Sequence, residues 1–328
     1  MSLSKVTPGM IIDGMHVVIT EKKVGTTKTG KPYADIVVRD STTTLKCKMW
    51  NYTNHDSIAV GKVIVISGEI SSYQGENQCV ISGWSPSTKS PTEFFKKSRF
   101  PLGLLETEIS DLILTFKEPL TAYVSKTLFE RYAEQIAKAP AASGVHNAWV
   151  GGLLEHIHGM CRIAKSILGH YMYYYNAPVS IEKVYFGLIF HDLGKIFEYD
   201  MDNPAFPHTP TGVLVNHLVT GPALVYETCS NWFLFNDKIG MTAEEFQRER
   251  AHLMHILASH HGEIAWGSPV VPSTLEAVLV HQIDMIDSRF MHALELVEGK
   301  EGNIKGFSEK SWTQKTCYMQ GKKDEKIN

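Results

Sequence analysis

The chain has 328 residues, 43% of them apolar and 20% charged, with a formal net charge of -3. That composition belongs to a globular protein with room for two domains and a large core, and it excludes a whole-molecule field that would draw in nucleic acid. The charge is uneven: residues 1–98 carry 12 Lys+Arg against 8 Asp+Glu (+4), and the remainder carries 20 against 27 (-7).

At the front, Val17-Val-Ile-Thr20 is a β-branched run, and Lys28-Thr-Gly-Lys31 reads as a hairpin turn. Pro32 to Asp40 and Thr44 to Trp50 alternate like half-buried strands. Val63-Ile-Val-Ile-Ser-Gly68 and Cys79-Val-Ile-Ser82 complete the set, with Tyr73-Gln-Gly-Glu as the turn between them. About five short strands over residues 1–88 predict a small all-β Greek-key barrel of OB type. Such barrels hold single strands by stacking bases on exposed aromatics beside basic residues. Tyr33, Trp50, Tyr73 and Trp84 are the candidate platforms, and Lys28, Lys31, Lys46 and Lys48 the candidate phosphate contacts.

Residues 89–104, with Pro91, Pro101 and a basic Lys96-Lys-Ser-Arg99, read as a linker. From 105 to 300 the apolar period becomes helical and predicts an all-α domain. Helices are expected from Glu106 to Lys117, Pro119 to Ala137, Ala148 to Leu168, Val213 to Thr228 and Thr242 to Ser259. Ser180 caps an apolar helix whose end carries His191, Asp192 and Lys195, and Ser273 caps a long last helix through Leu296. Residues 301–328 form a polar tail.

Five scattered cysteines without a CxxC pair argue against a zinc ribbon or a disulfide framework and fit a reducing compartment. No N-terminal signal pattern appears, and no apolar run approaches the ~18 residues that span a bilayer. A cytoplasmic protein with no membrane partner is the expectation.

Histidine is the outlier: of 15, 13 lie between His146 and His292. His156, His191, His217, His260 and His261, with Asp192 and Asp284, each sit beside an apolar run on separate elements. One such residue is ordinarily a satisfied core group. Convergence on a shared centre explains the whole set better than a private partner for each. Nitrogen and carboxylate donors without sulfur suit Mn, Fe, Co, Ni or Zn. Seven donors exceed what one ion needs. Two ions about 3.5–4 Å apart, bridged by Asp192, would use them.

His156, the pair His191-Asp192 and the distal Asp284 resemble the pattern of the HD-domain metal-dependent phosphohydrolases, and His217 with His260-His261 resembles its binuclear branch. Together with Thr29-Gly-Lys-Pro-Tyr33, Gly151-Gly-Leu-Leu-Glu-His156, His191-Asp-Leu-Gly-Lys195, Ser259-His-His-Gly262 and Gly267-Ser-Pro269, the chain is similar over roughly residues 15–290 to the YhaM-type 3′→5′ exoribonucleases, which join an OB-fold to an HD domain.

The resemblance implies a divalent-metal enzyme, usually with Mn²⁺, acting on single-stranded RNA or DNA with a free 3′ end. His156, His191, Asp192 and Asp284 would hold one ion, and Asp192, His217, His260 and His261 the other. Lys195 would contact the scissile phosphate, and His146 the phosphate or leaving oxygen. Asn147, Asn216 and Ala265-Trp266 depart from the family pattern at positions that bear on substrate choice. Other readings of the same donors are a phosphodiesterase of mononucleotides or cyclic dinucleotides, a di-iron oxygenase, and a binding module with a structural metal. A homo-oligomer is compatible with the sequence.

Overall fold

A computed structural model describes residues 2–320 apart from 74, 96–97, 143–148, 202, 204–205, 236–240, 300 and 312. His146 and Asn147 lie outside the described residues. The chain divides into two compact units, Met1–Lys97 with Asp200–Pro207, and Ser98–Tyr199 with His208–Asn328.

The first unit is a closed five-stranded barrel, β1 (Ile11–Thr26), β2 (Pro32–Arg39), β3 (Thr44–Trp50), β4 (Val63–Tyr73) and β5 (Glu76–Pro86), in the order β1-β2-β3-β5-β4. β1 is long enough to serve both sides: Val18–Thr26 pairs with β2 and Ile11–Val18 with β4, with irregularities in both ladders that let it bend. A short parallel pairing of Lys46–Met49 with Gln78–Ile81 closes the barrel. Most inward positions are β-branched, among them Ile12, Val17, Ile36, Val38, Ile64, Ile66 and Ile70.

The expected linker is partly barrel. Phe94 and Phe95 are buried against Val18 and Val63, so residues up to Lys97 group with the strands rather than ending at 88. Two large apolar side chains so close to the last strand find a surface before the chain leaves.

The second unit is helical: α1 (Leu102–Leu114), α2 (Pro119–Lys138), α3 (Gly152–Gly169), α4 (Ile181–Phe190), α5 (Lys195–Glu198), α6 (Pro210–Leu214), α7 (His217–Phe235), α8 (Ala243–Ala258) and α9 (Leu275–Glu298). α4 is the apolar centre, with Val184, Phe186, Leu188, Ile189 and Phe190 at 0–1% exposure. Each such side chain contributes roughly 1.5–3 kcal/mol.

Several helix boundaries differ from the periodicity: α1 starts at Leu102, inside the expected linker, α3 at Gly152, and α7 runs on to Phe235. α4 stops at Phe190, and His191-Asp-Leu-Gly194 is a tight turn held by Leu193 N–H to Phe190 O and Lys195 N–H to Asp192 O. The run expected from Val213 to Thr228 breaks before His217, because the Asn216 side chain accepts the Leu218 N–H at 2.7 Å and starts a new helix. α9 is capped by Thr274 rather than Ser273; the Thr274 hydroxyl accepts the Ala277 N–H. Among the described residues no helix is long and apolar enough to cross a membrane, and all five cysteines are free thiols.

Glu276 ties α9 to the start of α4 and to α8. From the first turn of α9 it accepts the Ser180 N–H at the start of α4 at 2.8 Å, and it meets His252 Nε2 at 3.2 Å. Burial opposes its charge, but His252 and the backbone donors outweigh that and hold the carboxyl down at about 2. Such a depressed carboxylate stabilises the fold above the unfolded-state value of about 4.3, and that contribution fades as pH falls toward 2. Glu276→Gln should therefore cost about 1–3 kcal/mol in urea unfolding at pH 7, with the difference from the parent halved near pH 3. A difference independent of pH would show that the charge of Glu276 is irrelevant.

Candidate functional site

α3, the turn after α4, the start of α7, the turn after α8 and α9 converge on one buried cluster. His156, His191, His217 and His260 are 1–6% exposed and Asp192 is 4% exposed. Neighbouring ring centroids lie 4.6–5.7 Å apart along the series His156, His191, His260, with His217 and His261 beside His260.

All five imidazoles are turned the same way. Nδ1 of His191 donates to Leu188 O at 3.1 Å, that of His260 to Leu257 O at 2.7 Å, and that of His261 to Trp266 O at 2.9 Å. Nδ1 of His156 meets Asp287 at 2.6 Å, and that of His217 meets Glu198 at 2.7 Å. Each acceptor lacks a proton to give, so Nδ1 carries the hydrogen and Nε2 is left for the centre of the cluster. Three donor groups have ligand atoms within 4.8 Å of one another: His156, His191 and Asp192; His191, His260 and Asp284; and His217, His260 and His261.

Asp192 stands between them. Its Oδ2 lies 3.2 Å from His191 Nε2 and 2.7 Å from Lys195 Nζ. Its Oδ1 lies 3.5 Å from His217 Nε2 and 3.6 Å from His260 Nε2. Among the described residues, buried His191 Nε2 and Asp192 Oδ1 have no hydrogen-bond partner. Leaving such atoms unmatched costs about 1–3 kcal/mol each, more for a charged group. A cation between them would satisfy both, so the residues fit a divalent metal.

The protonation states agree. Burial pushes the His217, His260 and His261 imidazoles down, toward the neutral form whose Nε2 has a free lone pair. Burial opposes ionisation of Asp192, but Lys195 and then His191 hold its carboxyl well below the usual range. His156 differs: despite burial, Asp284 (3.2 Å) and Asp287 raise it to about 10, so without a cation a proton occupies that corner. Lys195 also donates to the Ala141 carbonyl. Of its three N–H groups one has no partner among the described residues.

Two glycines supply clearance. A Cβ on Gly194 would lie 2.6 Å from His217 Cα, and one on Gly262, at φ +81°, would lie 2.2 Å from the His281 ring.

In the barrel unit, Tyr33 and Trp50 face each other across β2 and β3, with ring centroids 5.8 Å apart. Lys48 Nζ lies 3.9 Å from the Tyr33 ring and 4.9 Å from that of Trp50. A groove of about 630 Å³ is lined by Lys48, Trp50 and Tyr73 with Asp35, Lys46 and Glu76. Its lysines are paired, Lys48 with Asp35 at 2.7 Å and Lys46 with Glu76. Lys28 and Lys31 lie in the β1–β2 turn and do not line this groove. Trp84 packs on the barrel core and meets the His55 ring edge-on at 5.1 Å.

Sequence reasoning passed over Glu198 and the three backbone carbonyls that orient the rings. The only available signal was Glu198 lying three residues beyond Lys195 in an otherwise apolar stretch.

Comparisons with known proteins identify both domains. The family profile described as an OB-fold nucleic acid binding domain matches residues 15–86, and that of the HD domain matches residues 153–289. An HD domain implies divalent-metal dependence, and the His and Asp groups above could hold such an ion. A protein of Listeria monocytogenes serotype 4b named 3'-5' exoribonuclease YhaM is 30% identical over 281 residues, 84% of each chain. Proteins of the same name from Oceanobacillus iheyensis (29% identical, 90% of each chain) and Bacillus pumilus (27%, 84% of each) are similar along nearly the same span.

Proposed function

Because the chain belongs to the family of the 3'-5' exoribonuclease YhaM, a family of hydrolases, we propose that it removes nucleotides from the 3′ end of single-stranded RNA at a binuclear centre, with Mn²⁺ the first candidate ion. The observation that supports two ions is the division of Asp192: one oxygen faces His191 and the other faces His217 and His260. His156, His191, Asp192 and Asp284 would hold one ion, and Asp192, His217, His260 and His261 the other. When bound, such a pair lowers the pKa of water toward neutrality and offsets charge on the attacked phosphate.

The protein's own contribution is placement. The Nδ1 hydrogen bonds fix five rings before substrate arrives, so no reorganisation accompanies the reaction. Lys195, raised above its ordinary value by Asp192 against the effect of burial, stays an ammonium and directs its remaining N–H to an equatorial phosphate oxygen. Buried walls from α4 and α8 exclude bulk water from the inner side of the cluster. The barrel holds the strand by stacking on Tyr33, Trp50 and Tyr73.

A 5′-labelled single-stranded RNA incubated with the Mn²⁺-loaded protein should yield a ladder shortening from the 3′ end, with DNA of the same sequence and a cyclic dinucleotide as parallel arms. No cleavage of either polymer with Mn, Co, Ni, Fe or Zn would overturn the reading. Cleavage of the cyclic dinucleotide alone would move the activity to small substrates.

Because Lys46 and Lys48 are already paired, strand affinity should rest on aromatic faces more than on charge. Trp50→Ala should weaken binding of a long RNA by about 1–3 kcal/mol in fluorescence anisotropy. Lys48→Ala should weaken it less and flatten the salt dependence only slightly. The reverse ranking would assign the barrel an electrostatic role.

A further inference from the structure

A second groove, of about 350 Å³, is lined by Trp266, Met285, Ser288, Arg289, His292, Thr313 and Gln314. It is tied to two of the candidate ligands through the main chain. The Trp266 carbonyl accepts His261 Nδ1–H, and His281, whose ring centroid is 6.3 Å from that of Trp266, donates its Nδ1–H to the His260 carbonyl at 2.8 Å. His281, Met285, Ser288 and His292 form one stripe of α9, and Asp284 lies on the adjoining stripe. Thr313 and Gln314 reach the groove because Ser311 is buried and bonded to His292 at 2.9 Å.

The lining is suited to a nucleotide. Trp266 is 44% exposed although it sits in a constrained turn, and the Arg289 guanidinium lies over one face of its ring, 5.8 Å from the centroid, leaving the other face for a base. Arg289 is exposed and has no carboxylate within ion-pair distance among the described residues. An indole beside an unpaired, permanently charged guanidinium offers a stacking face and an anion donor within one nucleotide's reach. Ser288, Thr313 and Gln314 add neutral hydrogen-bonding groups for a sugar or a base edge.

We propose that this groove seats the penultimate nucleotide of the strand, with its base stacked on Trp266 and its non-scissile 5′-phosphate paired with Arg289. The inference rests on the exonuclease reading: the 3′-oxygen of that nucleotide joins the phosphate under attack, so its base and 5′-phosphate lie on the retained side, at the rim of the cluster. The groove also implies that very short products remain substrates, because one stacked base and one phosphate are held without the barrel.

Dinucleotides test this directly, since their 5′ nucleotide is the penultimate one. The parent, metal-loaded and full length, should hydrolyse pApA with a KM about tenfold below that for ApA. Arg289→Ala should abolish that preference, and Arg289→Lys should restore part of it. Trp266→Ala should raise KM for both dinucleotides about tenfold with a smaller change in kcat, whereas Trp266→Phe stays near the parent. In the metal-loaded parent, with the terminal linkage of the RNA replaced by a non-hydrolysable phosphonate, 2-aminopurine at the penultimate position should be quenched on binding more than at the tenth position, and Trp266→Ala should remove the difference. If the parent shortens RNA but shows no 5′-phosphate preference and no position-dependent quenching, the groove is not the seat and the exonuclease reading stands. If the parent shortens no RNA, both fall.

Discussion

Asp192→Asn should lower kcat for RNA by at least about 10³-fold and release bound metal, while far-UV circular dichroism stays that of the parent. The amide keeps the size of the side chain but replaces one oxygen with an N–H₂ group and removes the charge. Oδ1 and Oδ2 face different imidazole sets, so either orientation of the amide turns an N–H₂, which has no lone pair to give a cation, toward one of the two sets. Lys195 also loses its counter-charge at 2.7 Å, and an unpaired buried ammonium costs several kcal/mol. Should the single variant unfold, adding Lys195→Met removes that ammonium and is expected to recover stability without recovering activity. Metal content by atomic absorption separates the two effects. A variant that keeps both its metal and more than a tenth of parental turnover would refute the bridging role.

Glu198→Gln should weaken metal binding at the His217–His260–His261 group by about 10–100-fold, with the His156–His191–Asp284 side much less affected. Glu198 accepts both the backbone N–H of His217 at 3.1 Å and its Nδ1–H at 2.7 Å through the same oxygen. It thereby sets where α7 begins and which ring nitrogen faces inward. Its carboxyl is kept ionised by His217 although burial opposes that. Glutamine keeps the shape but lowers the basicity of the imidazole and can present N–H₂ to a group that has only a hydrogen to offer. Calorimetric titration with Mn²⁺ should show one of two binding steps weakened. Two unchanged steps would reduce Glu198 to a packing role.

How much of this was visible in the chain depends on the range of the interaction. The strands of the barrel follow from alternation, but the parallel closure of β3 on β5 does not, because nothing local records which edges meet. The helices of the second unit follow from their apolar stripes, whereas the ends of α4 and the start of α7 are set by tertiary hydrogen bonds and by Asn216 acting as a cap. His156, His191, Asp192, His217, His260, His261 and Asp284 are all brought to one cluster, and their shared apolar settings were a readable sign. The orientation of each ring was not readable. It depends on carbonyls of Leu188, Leu257 and Trp266 whose direction exists only once the turns are folded. Lys28 and Lys31 show the opposite failure: charge beside a strand is visible, but whether it lines a groove is a question of three-dimensional position.

The clearance at Gly194 and Gly262 has a consequence for heredity. Each belongs to a short word, His191-Asp-Leu-Gly or His260-His-Gly, that carries donors together with the space a histidine from another helix occupies, His217 at Gly194 and His281 at Gly262. Selection on hydrolysis would therefore hold these two positions as tightly as the histidines beside them. A map of tolerated substitutions would mark them as chemical residues, although what each contributes is the absence of an atom.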